Sequence, residues 1–326
     1  MIISRTPFRM SFVGGGSDLP AFYRHQPGAV ISTTIDKYVY VTINKKFDDG
    51  IRIAYSKNEE VSSVDQIEHQ LVKAVLRELK ISGGIEITTI ADIPSKGTGL
   101  GSSSSFTVGL LHAPNAYKGI FSSSETLSAG SCRIEIDICH EPIGRQDQYA
   151  AAYGGFNMIE FLPDDSVRVA PIICDPRTTA RIEQSTLLFY TGITRSASGL
   201  LKQQSADIAS SQEKRETMSA MVALTHQLKA ELERNNVDAF GEILHENWLL
   251  KKSLTKGIST AEIDDWYNIS RQAGATGGKI LGAGAGGFLM LTAPPDRHSA
   301  IKQVLRALRP IDVKFEPQGS RIIFYH

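Results

Sequence analysis

The sequence predicts an α+β protein built from two units, residues 1–175 and 176–326. Three observations carry this. The first half mixes strand-like and helix-like segments around a run of glycines and serines. The second half is dominated by helical stretches and closes on strands. Residues 172–177, with Pro171 and Pro176, have the composition of a crossover between the units. At 326 residues the chain is long enough for two modest cores.

The elements follow in order. Residues 38–43 alternate and are rich in β-formers, so they read as a strand, with residues 51–55 as its partner. Leu71, Val72, Val75, Leu76 and Leu79 fall on one helical face, which predicts a helix over 64–80. Residues 84–91 read as a strand and 106–111 as a helix, which Pro114 should kink or end. A further helix is expected over 127–140, and strands over 156–160, 167–169 and 186–191. Residues 205 to about 235 read as one long helix, whose stripe Met218, Met221, Val222, Leu228 and Leu232 is core packing. Two more helices are expected over 237–254 and 260–273, and last strands over 280–292 and 313–324.

Composition removes several function classes. Hydrophobic residues make up 41% and charged residues 21%, as in an ordinary globular protein. Lys plus Arg equals Asp plus Glu at 35 each, so no bulk charge argues for nucleic-acid or membrane partners. Cys132, Cys139 and Cys174 are too sparse for a disulfide scaffold and point to a reducing cytoplasm. Cys132, Cys139 and His140 match no common zinc spacing, so buried thiols are expected there. The first residues carry no signal-peptide pattern, and no apolar run reaches transmembrane length.

The most informative segment runs from Ile93 and Pro94 through Gly97, Gly99, Leu100 and Gly101 to Ser102, Ser103, Ser104 and Ser105. A strand leads in and a helix leads out, which a flexible Gly/Ser linker lacks. Glycines let backbone N–H groups turn toward an anion, and the helix start adds unpaired N–H groups and a positive dipole end. Serine hydroxyls can donate to phosphate or bind Mg²⁺. The combination suits the phosphates of a nucleotide. No G-x-x-x-x-G-K-[S/T] occurs, and a dinucleotide fingerprint would need glycine at Ser102.

Two further glycine clusters and one acidic segment stand out. Gly14, Gly15 and Gly16 break a strand and present Ser17 and Asp18. They serve either a hairpin turn capped by a solvated Asp18 or a close approach to a ligand whose hydroxyls Asp18 accepts. Gly282, Gly284 and Gly287 match G-x-G-x-x-G formally, but they lead into a strand and not a helix. They read as a thin wall that lets the second unit close on substrate and phosphate. Asp147 lies in Gly144-Arg145-Gln146-Asp147-Gln148-Tyr149. Its spacing fits a solvated helix start as well as an acid that holds a hydroxyl.

These clusters, in this order, resemble the GHMP kinases, which include galactokinase, homoserine kinase and mevalonate kinase. Pro94 to Ser105 is similar to that family's phosphate loop, and Gly277 to Gly287 to its C-terminal glycine motif. The residues around Arg5–Asp18, Gly144–Gly155 and Tyr190–Arg195 resemble the family's D-glycero-D-manno-heptose 7-phosphate kinase branch. The resemblance implies an N-terminal domain of the ribosomal-protein-S5 type, a ferredoxin-like C-terminal domain and ATP bound between them. By position, Gly97, Gly99, Gly101 and Ser102 would wrap the phosphates, flanked by Pro94, Leu100 and Ser104. Ser103 and Glu135 would bind Mg²⁺. Asp147 would be the catalytic aspartate and Arg9 its partner, with Arg5 competing for that role.

Asp18 would contact the sugar, beside Gly15, Gly16 and Ser17, with Gly284 closing the site. The implied activity is an ATP-dependent sugar kinase acting on the anomeric hydroxyl of a heptose 7-phosphate. A free galactose- or fucose-type sugar and a non-catalytic sugar and ATP sensor are the alternatives. A phosphorylated substrate needs a cationic clamp. Arg195 and Lys202 lead the candidates, before Arg145 and Lys279, with solvated surface charge as the competing reading for the first two. The expected partner is a small-molecule sugar phosphate, and the resemblance admits a homodimer.

Overall fold

The computed structural model describes residues 1–94, 97–194 and 197–326. Two sheets organise the chain. The first contains β1 (Ile2–Val13), β2 (Gly28–Lys45), β3 (Ile51–Ala54), β4 (Asn58–Val61), β5 (Ile85–Ala91), β6 (Asn157–Phe161) and β7 (Val167–Pro171). The second contains β8 (Thr186–Tyr190), β9 (Gly277–Ile280), β10 (Phe288–Thr292) and β11 (Arg309–Ile311), in the antiparallel order β11-β8-β10-β9. The last strands, β12 (Phe315–Glu316) and β13 (Arg321–Tyr325), return to the first sheet, where β12 pairs with β2 and β13 with β1.

The helices are α1 (Pro20–Tyr23), α2 (Gln70–Glu78), α3 (Ser102–Tyr117), α4 (Ser124–Cys132), α5 (Gln146–Tyr153), α6 (Pro176–Ser185), α7 (Ala197–Ser210), α8 (Gln212–Glu233), α9 (Ala239–Leu254), α10 (Ala261–Gln272) and α11 (His298–Val304). Polar caps start several of them. Ser123 accepts from Thr126 N at 3.1 Å, Asp175 from Arg177 N at 2.8 Å and Thr260 from Ile263 N at 3.3 Å. No helix among the described residues is long and apolar enough to cross a membrane.

Most expected elements are present, with instructive departures. Residues 51–54 form a strand, but it pairs with β4 and, in parallel, with β5 rather than with β2. The expected helix over 64–80 is a 3₁₀ turn at Val64–Gln66 followed by α2. The expected long helix after Ser205 is two, α7 and α8, broken at Ser211, whose hydroxyl accepts from Lys214 N at 3.4 Å. Pro114 lies in the last turn of α3, so its missing N–H removes one bond just before the helix ends. Helices α6 and α11 were not expected.

The apolar interior joins the two halves. Phe8, Met10 and Phe12 of β1 pack against Leu224 and Leu228 of α8, Phe240 and Leu244 of α9, and Phe288 of β10. Phe12 lies edge-on to Phe240 and Phe156, with ring centroids 5.2 and 5.6 Å away. A second cluster buries the opposite part of the first sheet under α2 and α3, with Val41, Ile43, Ile85 and Ile87 against Val75 and Val108. The chain crosses from β7 to α6 through residues 172–175. A cavity opens among residues drawn from both halves of the sequence.

Candidate active site

This cavity measures about 630 Å³, within the usual size of small-molecule sites. The glycine–serine loop, the Gly14–Gly16 turn, the start of α5 and the turn at Gly282–Ala283 surround it.

The loop is built by local rules. Gly97, Gly99 and Gly101 adopt φ of 68°, 76° and 73°, and Gly101 hands directly into α3. With glycine as its N-cap, α3 begins with N–H groups that no capping side chain occupies, a ready anion site. Gly97, Gly99, Gly101, Ser102, Ser103 and Ser104 all line the cavity. Leu100 instead turns inward as a core residue, and its carbonyl accepts from Arg9 N at 3.1 Å. Pro94 does not line the cavity. The second glycine turn packs directly on this loop: a Cβ placed on Gly282 would lie 2.6 Å from Gly99 Cα.

Arg9 reaches the cavity from β1 and meets Asp147 from the first turn of α5. The pair is bidentate, with Nε to Oδ1 and Nη2 to Oδ2 both at 2.8 Å. Arg9 Nη1 also donates to Gly99 O at 2.6 Å, which ties the pair to the loop. The Asp147 side chain is 25% exposed and faces the cavity; Arg9 is 4% exposed behind it. A methyl on Gly101 would sit 3.3 Å from Asp147 Oδ2, so this carboxylate stands at the rim of the loop. Arg5 is elsewhere, near Glu316 and over the Tyr38 ring.

Glu135 lies on Arg133–Ile138, a π-helical continuation of α4 where a plain helix was expected. It is fully buried yet lines the cavity. Ser103 Oγ donates to its Oε1 at 2.9 Å and Gln148 Nε2 to its Oε2 at 2.6 Å. Burial pushes its carboxyl up to about 7, against the pull of hydrogen bonds from Ser104, Ser103 and Gln148. A buried carboxyl beside a loop hydroxyl fits Mg²⁺, which takes one or two carboxylates plus phosphate oxygens and water.

Asp18 is buried and bonded to Gly16 N, Gln146 N and Gln146 Nε2 at 3.0 to 3.1 Å. Burial, then the charge of Asp147, raises its carboxyl above the ordinary range. Gly15 and Gly16 line the cavity beside it. Ser17 does not; its hydroxyl ties both the N–H and the carbonyl of Ala29 at 3.0 Å. Gly284 packs on Ile258, leaving Gly282 and Ala283 to face the cavity.

Of the four clamp candidates, only Lys279 lines the cavity among the described residues. Arg195 lies outside the described residues. Arg145 is held by Asp165 at 3.2 Å and over the Tyr23 ring, and Lys202 is exposed on α7. Lys251 of α9, which no sequence motif marks, lines the cavity and is 3% exposed.

A glycine–serine loop at a helix N-terminus and a bidentate acid–arginine pair around one cavity fit an ATP-dependent phosphotransferase, the class that the comparisons with known proteins show. The family model "GHMP kinases N terminal domain" matches residues 67–155, and "GHMP kinases C terminal" matches residues 228–310. The chain belongs to the GHMP kinases. It is 27% identical over 317 residues to a D-glycero-alpha-D-manno-heptose 7-phosphate kinase of Campylobacter jejuni, covering 94% of this chain and 93% of the relative. Among solved structures, a D-glycero-D-manno-heptose 1-phosphate kinase from Bacteroides thetaiotaomicron superposes with a TM-score of 0.83 at 28% identity, covering all of both chains. The galactokinase of Lactococcus lactis, complexed with galactose, shares the fold at 17% identity and a TM-score of 0.79, over 98% of this chain and 94% of that one.

Proposed function

We propose that this kinase transfers the γ-phosphoryl group of ATP to a sugar phosphate, and that the acceptor group is the anomeric hydroxyl of D-glycero-D-manno-heptose 7-phosphate. The observation that carries the reading is the Arg9–Asp147 pair at the rim of the glycine–serine loop. The heptose phosphate kinases among its relatives support the sugar; their names place the phosphate at C7 in one and C1 in the other.

The loop from Gly97 to Ser104 and the N-terminus of α3 bind the triphosphate. Asp147 accepts a hydrogen bond from the sugar hydroxyl and aims its oxygen at the γ-phosphorus. As the new P–O bond forms and the bond to the ADP oxygen breaks, Asp147 takes the hydroxyl proton. Phosphoryl transfer is mostly positioning and charge stabilisation, so the proton moves late. An anomeric hydroxyl is more acidic than an ordinary alcohol, which eases that step. Arg9 fixes the orientation of the Asp147 carboxylate. Asp18 and the Gly15–Gly16 backbone hold other sugar hydroxyls. Ser103 and Glu135 would hold Mg²⁺. Bound there, the ion supplies neutralisation of the β- and γ-phosphate charge.

An ADP-release assay over sugars and sugar phosphates, with ³¹P NMR of the product, tests the reading. A 1,7-bisphosphate product is expected; preference for mevalonate or homoserine over every sugar would overturn the assignment.

The Glu135 carboxyl gives a second check. Its folded pKa is raised, so its protonated form stabilises the fold. That contribution is full below about 4.5, its ordinary value, and is lost as pH rises through about 7. The gap corresponds to roughly 3 kcal/mol. The metal-free protein should therefore lose stability relative to Glu135→Gln between pH 5 and pH 8, read as the difference between two chemical-denaturation series. Added Mg²⁺ should shrink the difference, and the variant should need more Mg²⁺ for half-maximal turnover. A pH-independent difference would show that burial does not raise the Glu135 carboxyl, and an unchanged Mg²⁺ requirement in the variant would remove Glu135 from the metal site.

A further inference from the structure

We propose that the part of the cavity lined by Lys251 and Lys279 is an anion subsite that receives a phosphomonoester carried by the acceptor. The inference rests on the kinase reading above and adds where the acceptor's own phosphate is recognised.

Lys251 of α9 and Lys279 of β9 are 3% and 2% exposed, and both line the cavity. Lys251 Nζ donates to Gly15 O at 3.0 Å and Gln204 Oε1 at 3.1 Å. Lys279 Nζ donates to Phe12 O at 3.3 Å. An ammonium has three donors, so both keep unused ones among the described residues. Neither has a carboxylate at ion-pair distance among the described residues, although Lys251 feels the charge of Asp18. Buried charge is retained in proteins when it is paired. Two adjacent buried ammonium groups whose partners are all neutral oxygens call for an anion from outside the chain.

Neutral donors complete the subsite. Ser11 Oγ, which lines the cavity, and Gln204 Nε2, which lies beside Gly16, are buried without a hydrogen-bond partner. Two cations and the Ser11 hydroxyl at the cavity wall, with the Gln204 amide behind Gly16, suit the three oxygens of a phosphomonoester better than the two of a carboxylate. Position favours the acceptor over the nucleotide. The nucleotide's phosphates belong to the loop at Gly97–Ser104, whereas Lys251 lies against the Gly15 carbonyl and within the field of Asp18. Burial, then repulsion from Lys251 and Arg9, lowers the Lys279 ammonium to about 7, and a bound dianion would restore its charge.

The test compares D-glycero-D-manno-heptose 7-phosphate with unphosphorylated heptose, by calorimetric titration without nucleotide and by steady-state kinetics. The native protein should bind the 7-phosphate at least tenfold more tightly. Lys251→Met and Lys279→Met should each cut that preference at least fivefold and leave the KM for ATP within twofold. Inorganic phosphate should compete with the 7-phosphate and not with ATP. Equal affinity of the native protein for the two acceptors overturns the proposal, and this comparison needs no variant to fold. A loss that falls on the KM for ATP, or equally on both acceptors, also overturns it. Preferential binding without turnover would uphold the subsite and sink the kinase reading. Equal turnover of both acceptors would do the reverse.

Discussion

Asp147→Asn is expected to lose ~10²–10⁴-fold in turnover, the usual contribution of a positioned base. Asparagine keeps the shape of the side chain and can still face the cavity. It cannot take a proton, and it meets Arg9 with one acceptor oxygen where the native carboxylate has two at 2.8 Å. Arg9 keeps its bond to Gly99 O, so the loop should hold its shape and the KM for ATP should stay within about twofold. The loss should appear equally in kcat and in kcat/KM for the sugar, the mark of an interaction made in the transition state. A variant of native turnover would remove Asp147 from the mechanism.

Gly282→Val should damage both stability and nucleotide binding without touching a reacting group. Gly282 has φ of +77°, and its missing Cβ faces Gly99 Cα at 2.6 Å and Gly99 O at 3.1 Å. Both contacts are backbone, so no side chain can swing aside. Left-handed strain of ~1–2 kcal/mol and overpacking of ~1–3 kcal/mol together predict about 2–5 kcal/mol of destabilisation. Displacement of Gly99 should also raise the KM for ATP at least tenfold. Gly119→Val is the matched control: φ is +71°, with nothing within 4 Å of the added carbon. If both variants lose the same stability and the ATP constant does not move, the two glycine turns do not act together.

The glycine–serine loop was legible because its pattern is local. A strand, alternating glycines, serines and a helix follow one another in sequence, and the fold only had to keep them adjacent. That Asp147 and Glu135 line the cavity was expected through family resemblance alone; spacing fitted a solvated helix start for the first equally well. Lys251 was not legible. It sits beside Lys252 near the end of a helix, where two lysines usually mark a solvated face. Lys252 fits that reading, bonded to Asp264 at 2.9 Å, while Lys251 is buried by the Gly15 carbonyl and by Gln204 of a different helix. Arg145 shows the converse: its neighbours in sequence suggest a ligand, and Asp165 across the fold takes its charge. Periodicity likewise located residues 51–54 as a strand but could not choose its partner, because pairing with β5 spans some thirty residues.

The return of the last strands to the first sheet bears on how the protein can be taken apart. β1 is flanked by β2 on one side and by β13 on the other, with Ser4 paired to Ile322 and Arg5 to Arg321. A fragment ending near residue 175 would strip β13 away and leave the backbone of residues 2–5 of β1 without its partner on that side. Such an edge invites pairing with a neighbouring copy. Expression of the first half alone should therefore yield aggregates, whereas co-expression with the remainder offers the seam its natural cover.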